Sequence, residues 1–174
     1  MKLGVQERAR RIGTFRFLEV RLMETAAAWT PTTPEMEAKV MFGRHIWDFA
    51  QHADALGRRT FELRRPAQES VPPAEAYVRF LNEVLALEPT TARLAGLYDG
   101  LLPGIQRRYE LYRGEVDPIL DAPSLVIIER ILGDLVRQRE EAGALRRELS
   151  LEAGQGGPIL ARERGLDLLS PAAP

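Results

Sequence analysis

The chain has 174 residues, 45% of them hydrophobic, which is enough for one domain with a sizeable core and short for two of ordinary size. Its 24 Lys and Arg against 25 Asp and Glu leave a net charge of -1, so nothing draws the whole surface toward nucleic acid, and the basic cluster of Arg8, Arg10 and Arg11 is too short to do so alone. There is no cysteine and no run near the ~18 to 20 consecutive apolar residues of a spanning helix, which excludes disulfides, thiolate metal sites and a Cys nucleophile and gives no expectation of a membrane-spanning protein.

Residues 1–16 carry Gln6, Glu7, Arg8, Arg10 and Arg11 before any apolar run reaches the length of a signal-peptide core, so the expected location is cytoplasmic. Over about residues 5–29, Ile12, Phe15, Glu19, Leu22 and Ala26 recur at three- and four-residue spacing, the signature of one helical face, with Glu19 as its charged interruption. Pro31 and Pro34 then break the chain, and Thr33 before Pro34 marks the start of a second helix reaching about Leu63. Its inward face is Ala38, Phe42, His45, Phe49, His52, Leu56 and Leu63, while Glu37, Lys39, Arg44 and Arg58 take the other faces.

Pro66, Pro72 and Pro73 mark a crossing loop, followed by a short amphipathic helix over about residues 74–87 with Tyr77, Phe80, Leu81 and Val84 inward. Pro89 and Thr90 open a longer helix to about Val116, striped by Leu94, Tyr98, Leu101, Ile105, Tyr109 and Tyr112. Pro103 inside it removes a backbone hydrogen bond and predicts a local kink. The turns Asp117-Pro118 and Asp121-Ala122-Pro123 precede the last long helix, about residues 124–149, with Leu125, Ile128, Leu132, Leu135, Gln138, Ala142 and Leu145 inward. No strand alternation occurs. The chain thus divides into a helical bundle over residues 1–149 and a tail over residues 150–174. In that tail Gly154, Gly156 and Gly157 form a flexible joint, and Leu166, Leu168 and Leu169 predict a strap that docks on its own subunit or on a neighbour.

Among candidate functional groups, His45 and His52 stand two turns apart, about 10 Å along the helix, so one ion cannot take both through that helix alone. His52 is expected to be a buried imidazole bonded to Glu19 or Gln138, and His45 a core or interface histidine. Glu19 on an apolar stripe must be protonated or find a partner among His52, Arg107 and Arg108. Asp48, close in sequence to both histidines, reads as a helix-stabilising neighbour rather than an acid–base partner. The glycines at 154–157 lack the strand and helix of a phosphate loop, and the serines fall in turns or the tail, so neither nucleotide binding nor a serine triad has support.

The order of several stretches resembles a bacterial group of ferritin-like proteins. They are His45-Ile46-Trp47-Asp48-Phe49-Ala50-Gln51-His52-Ala53-Asp54 on the second helix, the turn Val116-Asp117-Pro118-Ile119-Leu120-Asp121-Ala122-Pro123, and Ile131-Leu132-Gly133-Asp134 on the last helix. The resemblance spans about residues 11–146. It implies an all-α, ferritin-like four-helix bundle with an extra short crossover helix and a C-terminal strap. In that family, one Glu on each of two helices and a Glu-x-x-His turn on each of the other two hold a metal pair. The corresponding positions here are Glu19, then Phe49 and His52, then Tyr109 or Glu110, then Leu135 and Gln138. Phe49 and Leu135 cannot bind a metal, and a Gln138 amide adds no charge to neutralise one.

The expectation is therefore a non-catalytic interaction or scaffold module with a degenerate metal site, no metal and no cofactor, acting through a protein partner or a homo-oligomer, without nucleic acid or membrane. Glu19, His45, Phe49, His52, Tyr109, Leu135 and Gln138 would line its former site, with no catalytic residue among them. Two alternatives stay open: a diverged oxygenase- or hydroxylase-type enzyme using Glu19 and His52 for acid–base work, and a carrier of an apolar ligand in the bundle core. Filling the old cavity with Phe49 and Leu135 argues against the enzyme.

Overall fold

Helical periodicity becomes seven α-helices and one π-helical stretch in the computed structural model, which describes residues 2–152 and 154–169; among these there is no strand. Helix α1 (Val5–Trp29) and helix α2 (Met36–Glu62) form the most intimate pair, an antiparallel hairpin. Helix α3 (Glu75–Leu85) follows a crossing segment. Helix α4 (Thr90–Leu94), the π-helical stretch Ala95–Leu101 and helix α5 (Leu102–Glu115) then make one rod. Helix α6 (Ala122–Glu148) returns beside it, and helix α7 (Gly156–Arg164) closes the described part.

Contacts at the helix ends fix the directions. The Leu3 N–H donates to the Glu115 carbonyl at 3.2 Å, and the Arg93 guanidinium lies 5.7 Å from the Trp29 ring centre, so the rod runs antiparallel to α1. Arg59 near the end of α2 donates to Ser124 near the start of α6, so these two are antiparallel as well. Thus α1 and α6 run one way, α2 and the rod the other, and residues 63–89 traverse the length of the bundle. On that path the Trp29 indole donates to the Leu85 carbonyl at 2.8 Å, tying α3 to the end of α1.

The inner stripes of α1, α2, α3 and the rod are those of the periodicity: Ile12, Phe15, Leu22, Phe42, Phe49, Leu56, Tyr77, Phe80, Leu94, Leu101 and Ile105 are all buried in one continuous core. Burial of each large side chain contributes about 1.5–3 kcal/mol, the main term holding the helices together. Three details differ from the sequence expectation. Helix α2 starts at Met36 after an extended Glu35, because the Thr33 hydroxyl turns back to donate to the Trp29 carbonyl at 2.8 Å and so finishes α1 instead of capping α2. Around Pro103, where a local kink is expected, the departure from α geometry is the π stretch just ahead of the proline. Pro103 sits in the first turn of α5, and Leu101 and Leu102 keep right-handed helical backbone. On α6 the core takes Ser124 and Ile131, leaving Leu125 and Leu132 half-buried.

The described tail packs on its own chain, and Ser170 to the C-terminus lies outside the described residues, as does Ala153. Gly96, Gly100 and Gly104 recur every four residues and leave a flat strip on the rod for α7. A Cβ at Gly100 would stand 2.7 Å from Ile159 Cγ2, and one at Gly104 would collide with the Glu163 carboxylate. That carboxylate, fully buried, accepts from the Tyr77 hydroxyl at 2.8 Å and from Arg108 Nε at 2.9 Å. The Ala74 N–H meets the Leu168 carbonyl at 2.9 Å, and the Leu168 side chain joins the core.

Candidate functional site: a polar ladder between two helices

Antiparallel packing of α2 on α6 turns two sequence patterns into rungs. Helix α2 offers His45, Asp48 and His52, while α6 offers Asp134, Arg137, Gln138 and Glu141 in reverse order. Residues seven apart lie on nearly the same side of a helix, so each histidine meets one carboxylate and Asp48 meets the groups between.

The His52 rung is ionic. Its Nδ1 lies 3.1 Å from Glu19 Oε2 and its Nε2 lies 3.0 Å from Asp134 Oδ2. Both partners are carboxylates, so both ring nitrogens must donate, which makes the ring an imidazolium. Burial alone would push the His52 pKa down, but the charge and hydrogen bond of Glu19, joined by those of Asp134, outweigh it and hold the ring above its usual value. The second oxygen of Glu19 accepts from the Tyr109 hydroxyl at 2.5 Å. Glu19 and Tyr109 are completely buried, and burial followed by the nearby Glu19 charge raises the phenol well above its normal range.

The His45 rung is neutral. Its Nε2 donates to Glu141 Oε2 at 3.0 Å, while its Nδ1 lies 2.7 Å from the Tyr98 hydroxyl, which donates to it. A single ring proton satisfies both contacts. Burial lowers the His45 pKa and outweighs the opposing pull of Glu141. Between the rungs, Arg137 donates to Asp48 at 2.8 Å, to Asp134 at 2.9 Å and to Glu141 at 3.1 Å, so the two histidine rungs belong to one network. Gln138 donates to Asp48 at 3.1 Å, while its own buried carbonyl oxygen has no hydrogen-bond partner.

All but one of the candidate positions have a place here, the exception being Glu110, which is exposed and accepts from Gln106 at 2.9 Å. Glu19, His52 and Tyr109 form one linked group, with neither Arg107 nor Arg108 on Glu19 and with Arg108 instead holding α7. Gln138 bonds Asp48 rather than His52, and Asp48 bonds neither histidine. Phe49 and Leu135 are completely buried, and the Phe49 ring presents its face or edge to His52 with centres 6.4 Å apart. Arg137 and Glu141 were absent from the sequence reading, Asp134 entered it only as the end of the stretch 131–134, and Tyr98 was read only as core. Their signal was the repeat of acidic residues one heptad apart on α6, matching the histidines one heptad apart on α2.

A second buried knot closes one end of the bundle. Asp121, fully buried, accepts from Arg59 at 2.9 Å, from Ser124 at 2.8 Å, from Tyr112 at 2.6 Å and from Arg8 at 3.3 Å. Four elements meet on this one carboxylate.

The donor set does not suit a metal pair. Both Glu19 oxygens and both His52 nitrogens are taken by groups of the chain, and an imidazolium has no lone pair to offer a cation. Two of the remaining positions are hydrocarbon, and no three His, Asp or Glu side chains converge as a metal cage among the described residues. Comparison with family models, with curated proteins and with solved structures finds no match to this chain.

Proposed function

We propose that this chain is a ferritin-like bundle without dimetal chemistry, and that it works as a non-catalytic interaction module. The helix directions, two one way and two the other with one crossing connection, agree with the ferritin-like topology. The observation that carries the functional half is the filled centre: Phe49 and Leu135 stand where the resemblance would put carboxylates, and Glu19 and His52 bond only to groups of the chain. Acid–base groups of this kind have no open side from which a substrate could reach them. The outer surface, by contrast, exposes large apolar groups, with Met36, Val40 and Trp47 on α2 between 57% and 66% accessible. Such exposure beside a closed interior supports a role in contact rather than in turnover.

Metal analysis of the natively purified protein, coupled to light scattering, tests this reading. It predicts substoichiometric iron and manganese and an assembled species. Stoichiometric metal would end it. The acid–base enzyme alternative would have Glu19→Ala and His52→Ala abolish turnover while preserving the fold, whereas a structural network predicts loss of stability first.

A further inference from the structure

Helix α2 carries two apolar stripes, and only one of them is used. The inner stripe fills the core. The outer one consists of Met36, Val40, Gly43 and Trp47, spaced four, three and four residues apart, the spacing of a coiled-coil seam. Met36 is 64% exposed, Val40 57% and Trp47 66%. Gly43, in the middle of a long helix, weakens it relative to alanine, yet a Cβ there would meet no atom within 4 Å. Nothing within the chain calls for that glycine; close approach of another helix would.

Beside this stripe runs a groove of about 410 Å³ between α2 and α6, whose lining combines apolar Met41, Ala144 and Leu145 with charged Glu37, Arg44 and Glu148. We propose that this face is a two-fold interface with a second copy of the chain, in which Trp47 of each copy enters the groove beside Met36 of the other. The inference deepens the interaction role proposed above by naming the partner.

The register follows from the residues themselves. A two-fold axis crossing α2 opposite residues 41 and 42 makes the two helices antiparallel, because a closed dimer uses the same patch on both sides. It sets Met36 against Trp47 of the second copy, and Val40 against its Gly43, so the large groups face the small one. Glu37 and Arg44 lie on one flank of the stripe, one heptad apart. In an antiparallel pair that flank faces its own equivalent, so Glu37 of each copy meets Arg44 of the other, and two reciprocal ion pairs form. Arg44, 63% exposed, holds Glu141 through a loose 3.7 Å ion pair that it can exchange for Glu37 of the other copy, because Glu141 keeps its contacts to Arg137 and His45. The Trp47 indole N–H finds carboxylates in the groove lining, Glu37 and Glu148. Self-complementarity of shape and charge selects a second copy over an unrelated helix, whose charges would have to match by coincidence.

Sedimentation velocity across a hundredfold range of concentration, with metal content measured on the same sample, tests the proposal. The expected result is a species of twice the 19.6 kDa chain mass that Trp47→Ala converts to monomer with an unchanged helical circular-dichroism spectrum. Gly43→Leu, which blocks close approach, should raise the dimer dissociation constant at least tenfold, and Glu37→Arg should do so more weakly. A wild-type chain that stays monomeric throughout, or a dimer that survives both Trp47→Ala and Gly43→Leu, overturns it. A metal-free monomer would remove this interface and leave the loss of metal chemistry standing, whereas a metal-loaded dimer would do the reverse.

Discussion

The two histidines of α2 sit one heptad apart on the same buried face, each bonded to a carboxylate of α6, yet one ring is cationic and the other neutral. At His52 a second carboxylate, Glu19, approaches from α1, and the ring must carry two protons to satisfy both. At His45 the corresponding place is taken by the Tyr98 hydroxyl, which can donate, so one proton suffices and burial keeps the ring neutral. The difference teaches that equal burial does not set a titration state. What sets it is whether the second neighbour is an acceptor only or can donate in return.

Removing each ring separates the rungs most strongly. His52→Ala leaves the buried Glu19 carboxylate with the Tyr109 hydroxyl alone and should cost about 3–5 kcal/mol, the range for breaking a buried ion pair. His45→Ala makes a similar cavity but strands only the neutral Tyr98 hydroxyl, for about 1–3 kcal/mol. Urea unfolding of both variants measures the gap, and equal losses would refute the assigned charge difference.

The tyrosines repeat the contrast at lower amplitude. Tyr109→Phe removes a hydrogen bond to a carboxylate and should cost about 1.5–3 kcal/mol, whereas Tyr98→Phe removes one to a neutral ring and should cost about 0.5–1.5 kcal/mol. Thermal unfolding should rank them in that order.

The rungs also bend stability with pH in opposite directions. His52, raised in the fold, contributes stability that is fully present below its unfolded value of 6.5 and is lost as pH climbs through its higher folded value. His45, lowered in the fold, contributes stability that is fully present above 6.5 and is lost as pH falls through its lower folded value. Taken together they place a stability maximum near pH 6.5. Ring-proton NMR resolves the two directly, because one resonance should titrate above that pH and the other below it. Two overlapping titrations would show that the rungs are equivalent.

Much of the fold was legible because the long helices obey a seven-residue pattern strong enough to place Ile12, Phe42, Phe49, Tyr109 and Leu135 inward. The slip on α6 has a plain cause. Its buried positions alternate four and three residues through Ser124, Ile128, Ile131, Leu135, Gln138, Ala142 and Leu145, whereas hydrophobicity alone favours Leu125 over Ser124 and does not separate Leu132 from Ile131. Register decided both cases. The Glu19–His52 contact was legible as well, since a carboxylate on an apolar stripe must find a partner. The other half of the ladder was hidden because Asp134, Arg137 and Glu141 read on their own helix as an ordinary charged face. Only the antiparallel alignment of α2 and α6, a tertiary fact, matches them to His52, Asp48 and His45.

The closed centre of the bundle is tested most directly by its indifference to metal. Thermal unfolding after exhaustive chelation should give the same Tm as unfolding with excess Fe(II) or Mn(II), because Glu19 and His52 already bond to the chain and Phe49 and Leu135 carry no lone pair for a metal. A Tm that rises with metal by roughly 5–10 °C, the shift expected when a native site binds well above its Kd, would contradict it.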